Sequence, residues 1–202
     1  MPADTIPARL IRNAEQIPAT PAYFEKRGGA FAPTSWGEYA DHVRRAAKSL
    51  IVMGCEPGHH VAILGFNRPE WVIADHACMA AGGAPAGIYT TNSPEEVQYI
   101  ADHAACPVIV VENEEQLAKV IEVRDRLPEL RWIVTMRGVE AHDDDAILTW
   151  DEFLARGDDL DDTVYFEHVD ALQPGEPATL IYTSGTTGPP KAVVLTHSNL
   201  TW

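Results

Sequence analysis

The sequence predicts an α/β fold, a mostly parallel sheet flanked by helices on both faces. Three observations carry that reading. Helix start signals alternate with short apolar runs along the 202-residue chain. The runs are nearly continuous Val, Ile, Leu and Ala, as strands covered on both faces require. Apolar residues make up 46% and charged residues 22%, a globular composition with enough apolar side chains to offset the entropy lost on folding.

The elements follow in order. Ser35 and Glu38 have the spacing of a capping box ahead of Trp36, Tyr39, Val43, Ala47 and Leu50, a one-faced helical stripe that Gly54 stops. A strand is expected over 61–66. Asn67 with Glu70 reads as the next helix start, and 71–81 is apolar nearly all round, so that helix has to be buried. Ser93-Pro94-Glu95-Glu96 is another start signal, with Pro at the first helical position and Val97, Ile100, Ala101 and Ala104 as the inner face. Strands at 107–111 and 132–135 enclose a helix that starts at Asn113 and carries Leu117, Val120 and Ile121. Thr149 and Glu152 cap a short helix with Trp150 and Phe153. Two last strands, 178–182 and 192–195, flank a Gly-rich turn and should be neighbours.

Thirty acidic residues against 15 basic ones give a net charge of −15, which repels phosphate backbones and argues against nucleic-acid binding. Residues 140–170 hold twelve acids and one base, Arg156, and read as a solvated, variable surface segment. Cys55, Cys78 and Cys106 lie in apolar stretches without metal-ligand spacing, and the nearby His76 and His103 complete no four-ligand pattern. Structural thiols suit a reducing compartment. The start lacks a secretory signal, and no window approaches the roughly 18 uninterrupted apolar residues of a membrane span. A cytoplasmic protein is expected, at most peripheral at a membrane.

One stretch carries chemistry: Thr183-Ser184-Gly185-Thr186-Thr187-Gly188-Pro189-Pro190-Lys191. Glycines let backbone N–H groups turn inward around an anion, and hydroxyls add donors without bulk. Lysine supplies a compact charge suited to a terminal phosphate, and Lys191 is one of only four lysines. The stretch is not the NTPase P-loop, which places Gly directly before Lys and a hydroxyl after it; here Pro190 precedes and Ala192 follows. A surface hairpin rich in turn residues would share this composition.

Tyr182 through Lys191, continuing to Thr196-His197-Ser198-Asn199-Leu200, resembles the phosphate-binding signature of the AMP-forming adenylate-forming enzymes. Asn67-Arg68-Pro69-Glu70-Trp71 and Gly87-Ile88-Tyr89-Thr90-Thr91-Asn92-Ser93-Pro94-Glu95-Glu96 are similar to their fatty acyl-CoA synthetase branch. The ending Ser198-Asn199-Leu200-Thr201-Trp202 is similar to the bubblegum-type long-chain enzymes within it. Ala192 departs from the Gly that most of the superfamily has there.

The resemblance implies a ligase that joins a fatty acid to CoA through an acyl-adenylate, with ATP, Mg2+ and CoA as cofactors or co-substrates. Thr183, Ser184, Gly185, Thr186, Thr187, Gly188, Pro189, Pro190 and Lys191 would wrap the β- and γ-phosphates, Thr183 helping to position magnesium. By the same resemblance the adenine- and ribose-binding residues, a magnesium Glu and a C-terminal domain with a catalytic Lys would follow beyond Trp202. Residues 1–202 are therefore expected to be an incomplete N-terminal AMP-binding domain, its missing C-terminal part a possible separate chain. A second class stays open, a truncated, non-catalytic nucleotide-binding or interaction protein.

Overall fold

The computed structural model describes residues 3–183 and 189–202. A first helix, α1 (Ile6–Gln16), leads into an antiparallel ribbon of β1 (Pro21–Arg27) and β2 (Ala30–Ser35). The main sheet has seven strands: β3 (His60–Leu64), β4 (Ala84–Ile88), β5 (Val108–Val111), β6 (Trp132–Thr135), β7 (Ile147–Thr149), β8 (Pro177–Thr183) and β9 (Lys191–Thr196). They lie in the order β7-β6-β5-β3-β4-β8-β9. All neighbours are parallel except β8 and β9, so the expected mostly parallel α/β sheet is present with one antiparallel edge strand.

The pleat divides the core. On one face Val61 and Ile63 of β3 and Val108 and Val110 of β5 meet α2 (Trp36–Val52), α3 (Pro69–Ala80), α6 (Trp150–Ala155) and α7 (Asp162–Ala171). On the other, Ala62, Leu64, Ile109 and Val111 meet α4 (Pro94–His103) and α5 (Glu114–Val123). Alternate residues of one strand thus bury against different helices, which is why no polar residue interrupts β3 after His60 or β5 anywhere. A short last helix, α8 (His197–Thr201), follows β9.

The capping boxes at Ser35, Ser93 and Thr149 form as the spacing predicts, and Asn113 caps α5. Three expectations need correction. Asn67 does not cap α3: the N-cap is Arg68, without a side-chain cap, and Glu70 is instead buried against the Arg68 and Arg137 guanidiniums. The strand expected over 61–66 ends at Leu64, because the chain turns at Gly65 where a Cβ would sit 2.9 Å from that of Glu112.

The third concerns the acidic segment. Residues 140–170 are not merely a solvated surface: they contribute β7, α6 and most of α7, and bury Trp150, Phe153, Tyr165 and Val169. Their outward carboxylates dock on the basic side of α2, with Asp162 2.7 Å from Lys48 and also paired with Arg44, and Asp158 3.4 Å from Arg45. Such partly exposed pairs contribute little each, so the apolar side chains hold the segment.

Burial holds His42, His60 and His197 below the ordinary imidazole range. His197 is fully buried, its Nδ1 accepting a 3.4 Å hydrogen bond from the Ile6 backbone N–H. In this window the unfolded chain binds more protons than the folded one, so stability is complete above about pH 6.5 and falls as pH drops below it. Denaturant titrations from pH 5 to 8 should show that decline, with a shallower slope for His197→Gln. An unchanged slope would exclude His197 as a contributor.

Candidate functional site

The Gly-rich stretch joins β8 to β9 at the end of the sheet where β3 and β4 also finish, since β8 runs parallel to β4. Thr183 closes β8 and Lys191 opens β9, and the two stand directly opposite in the antiparallel register. The loop proper is therefore shorter than the predicted nine-residue motif, with its two ends held on strands. Thr183, Pro189 and Lys191 are exposed and Pro190 is half-buried. Ser184, Gly185, Thr186, Thr187 and Gly188 lie outside the described residues.

In an open α/β sheet, ligands bind in the crevice outside the carboxyl ends of the strands, where successive connections leave to opposite faces. Here the connection after β3 leaves through α3 on one face and that after β4 through α4 on the other. A cleft of about 640 Å3 opens at this end, between the turns Gly65-Phe66-Asn67 and Tyr89-Thr90 and residues 179–182 of β8, with Trp71 in its wall. A second cleft, about 480 Å3, lies at the amino end of β3 and β4, beside Glu167, His168 and Glu176. Its two carboxylates oppose a polyphosphate, so the carboxyl-end cleft is the candidate site.

Residues that no motif singled out shape this cleft. The Glu112 carboxylate accepts the Phe66 backbone N–H at 3.0 Å. The Lys119 ammonium donates to the backbone carbonyls of Thr90 at 2.6 Å and Asn92 at 3.0 Å. Both come from the β5–α5 connection or helix, distant in sequence from the loops they pin, so spacing carries no signal of them. Near the end of β8, burial pushes the Tyr182 phenol up to about 12, keeping it neutral, and its hydroxyl lies 2.9 Å from His103 Nδ1.

Magnesium commonly takes one or two protein oxygens and fills its shell with phosphate oxygens and water. The exposed Thr183 is a hard-oxygen residue at the loop's entry and suits that limited role. The three cysteines are buried and free, with the Cys55 and Cys106 thiols each pushed up to about 12 by burial, so they act as small hydrophobes. No helix among the described residues is long and apolar enough to cross a membrane.

Comparisons with known proteins agree with the fold. The AMP-binding enzyme family matches residues 10–202. The chain is 42% identical over 181 residues to a long-chain-fatty-acid–CoA ligase of Xenopus laevis, covering 90% of this chain and 24% of that protein. A human long-chain-fatty-acid–CoA ligase is 38% identical over 199 residues, 98% of this chain and 30% of its own length. The chain thus spans less than a third of these relatives. Among solved structures, the acetoacetyl-CoA synthetase of Streptomyces lividans has a TM-score of 0.80 at 25% identity, over 96% of this chain and 30% of that one. An anthranilate CoA ligase in complex with anthranoyl-AMP has a TM-score of 0.77 at 21% identity, over 96% of this chain and 35% of that one, and shows the shared fold.

Proposed function

Because the chain belongs to the AMP-binding enzyme family, we propose that it supplies the ATP phosphate-binding loop of a long-chain fatty acid–CoA ligase. The observation that supports this reading is where the described ends of the motif lie: Thr183 closes β8 and Lys191 opens β9, next in chain to the β8 residues that line the carboxyl-end cleft. In the proposed reaction a fatty carboxylate oxygen attacks the α-phosphorus of ATP, and the bond to the β-phosphate oxygen breaks. Acyl-adenylate and pyrophosphate form, and the CoA thiol then displaces AMP to give acyl-CoA.

The loop's work lies at the leaving group. Thr183, Ser184, Gly185, Thr186, Thr187 and Gly188 supply hydroxyl and backbone N–H donors, and Lys191 supplies the positive charge, so that the β- and γ-phosphates are held while negative charge accumulates on them. Magnesium, when bound beside Thr183, would neutralise part of the same charge. Pro189 and Pro190 restrict the backbone immediately before Lys191, which limits the directions in which its ammonium can reach. Residues 1–202 act in this reading as part of an AMP-binding domain, in the cytoplasm.

The chain alone is expected to turn over nothing. A loop that holds phosphates cannot by itself align adenine, ribose, fatty acid and thiol, and misplaced reactants forfeit most of an active site's entropic advantage. Pyrophosphate release, measured with a panel of fatty acids, ATP, Mg2+ and CoA, should stay at background for the purified chain. Robust turnover would show that the chemistry needs fewer residues than proposed.

A further inference from the structure

We infer that α4 is the anchor of the phosphate loop, with Tyr99 and His103 as positioning residues for the nucleotide's terminal phosphates. The inference rests on the reading of that loop as an ATP site. Tyr99 and His103 are four residues apart on α4 and so share one helix face. Their rings stack with centroids 5.8 Å apart, and His103 meets the Tyr182 ring edge-on at 5.7 Å. The Tyr99 hydroxyl donates to the Pro190 carbonyl at 3.1 Å, one residue before Lys191. His103 Nδ1 is hydrogen-bonded to the Tyr182 hydroxyl at 2.9 Å, one residue before Thr183.

A continuous ladder of side chains therefore runs from the loop's exit at Pro190, through Tyr99 and His103, to its entry at Tyr182. Both contacts are long-range, bridging 91 and 79 residues. Strand pairing of Thr183 with Lys191 fixes how far apart the two loop ends are. The pairing of β8 with β4 ends at Ile181, two residues before Thr183, and α4, packed on the opposite face from α3, supplies the reference for the strand ends beyond it. The Pro190 carbonyl is well suited to the task. Its carbon is bonded to the Lys191 nitrogen in a planar peptide unit, so holding the carbonyl holds the start of the Lys191 backbone.

Tyr99→Phe removes only the hydroxyl and keeps the ring stacked on His103, which makes it the informative variant. A neutral hydrogen bond lost from a positioning role should weaken ATP binding by about 2- to 12-fold. AMP, lacking the terminal phosphates, should bind as before, and the thermal midpoint should move little. Equilibrium dialysis of the chain joined to the remainder of the proposed ligase, and of its variant, with labelled ATP and AMP, beside thermal denaturation, reads all three. Tyr182→Phe, which breaks the other end of the ladder, should show the same selectivity.

A selective ATP loss in both variants supports the anchor. Unchanged ATP affinity in Tyr99→Phe, while the unmodified protein still prefers ATP to AMP, overturns the anchor and leaves the loop's function standing. Equal losses for ATP and AMP with a lowered midpoint would assign Tyr99 a merely structural role and overturn it too. An unmodified protein with no preference for ATP would remove the phosphate-loop reading itself, and the anchor with it.

Discussion

Phe153→Ala is expected to destabilise the fold by roughly 3–5 kcal/mol, the range for truncating a fully buried aromatic. Phe153 is completely shielded and packs beside Trp150, with ring centroids 5.3 Å apart, in the core cluster that includes Val43, Leu50 and Tyr165. The neighbourhood cannot collapse into the space left behind. Ser49 of α2 already donates to the Leu154 carbonyl at 3.1 Å, and at Gly157 a Cβ would stand 2.5 Å from the Ser49 backbone nitrogen. Against a total stability of about 5–15 kcal/mol, the loss would remove a large share. Asp143→Asn, at an exposed position in the same acidic segment, should stay within about 0.5 kcal/mol. Urea titration checks both, and a Phe153→Ala loss near that of Asp143→Asn would show that the segment is peripheral after all.

That segment marks where sequence reading fails for a physical reason. Its charge is the outer face of elements whose inner face is apolar, and counting acids averages the two. Trp150 and Phe153 were legible because Thr149 and Glu152 cap their helix, whereas α7 has a weakly sided pattern and a plain Asp161 cap. The central strands were legible because each is buried on both sides and therefore apolar throughout. β4 was not, since Ala84-Pro85-Ala86-Gly87-Ile88 has small residues where strands usually carry branched ones. Its composition fits its surroundings, because Gly87 lies under Trp71, 3.4 Å from where a Cβ would be. The ribbon β1–β2 has no clear signal in the sequence because its residues are mostly exposed and carry no strong period.

The candidate site divides in the same way. Thr183 and Lys191 stand out in sequence because hydroxyls, glycines and a rare lysine cluster within nine residues. Glu112, Lys119, Tyr99 and His103 do not, since each is an ordinary helix or strand-end residue until the fold brings it to a loop it does not neighbour in sequence. The Asn67–Glu70 pair shows the opposite error. It has the spacing of a helix start, yet Glu70 serves two arginines across the turn rather than the backbone of its own helix.

Lys191→Ala should weaken ATP binding by roughly 10- to 150-fold, because a hydrogen bond to a charged group contributes about 1.5–3 kcal/mol. Lys191 opens β9 directly across from Thr183, so its ammonium starts from the loop's rim, where a γ-phosphate would sit against donors that are otherwise neutral. The residue is exposed on a strand edge, and truncating it should cost the fold little. Its effect is expected on ATP alone, since AMP has no phosphate that reaches it.

Calorimetric titration, with ATP and with AMP, of the chain joined to the remainder of the proposed ligase, and of the same protein with Lys191→Ala, tests the phosphate-loop assignment most directly. The assignment predicts ATP affinity lower by one to two orders of magnitude in the variant, with AMP affinity unchanged. Equal losses for the two nucleotides, or no loss for either, would contradict it.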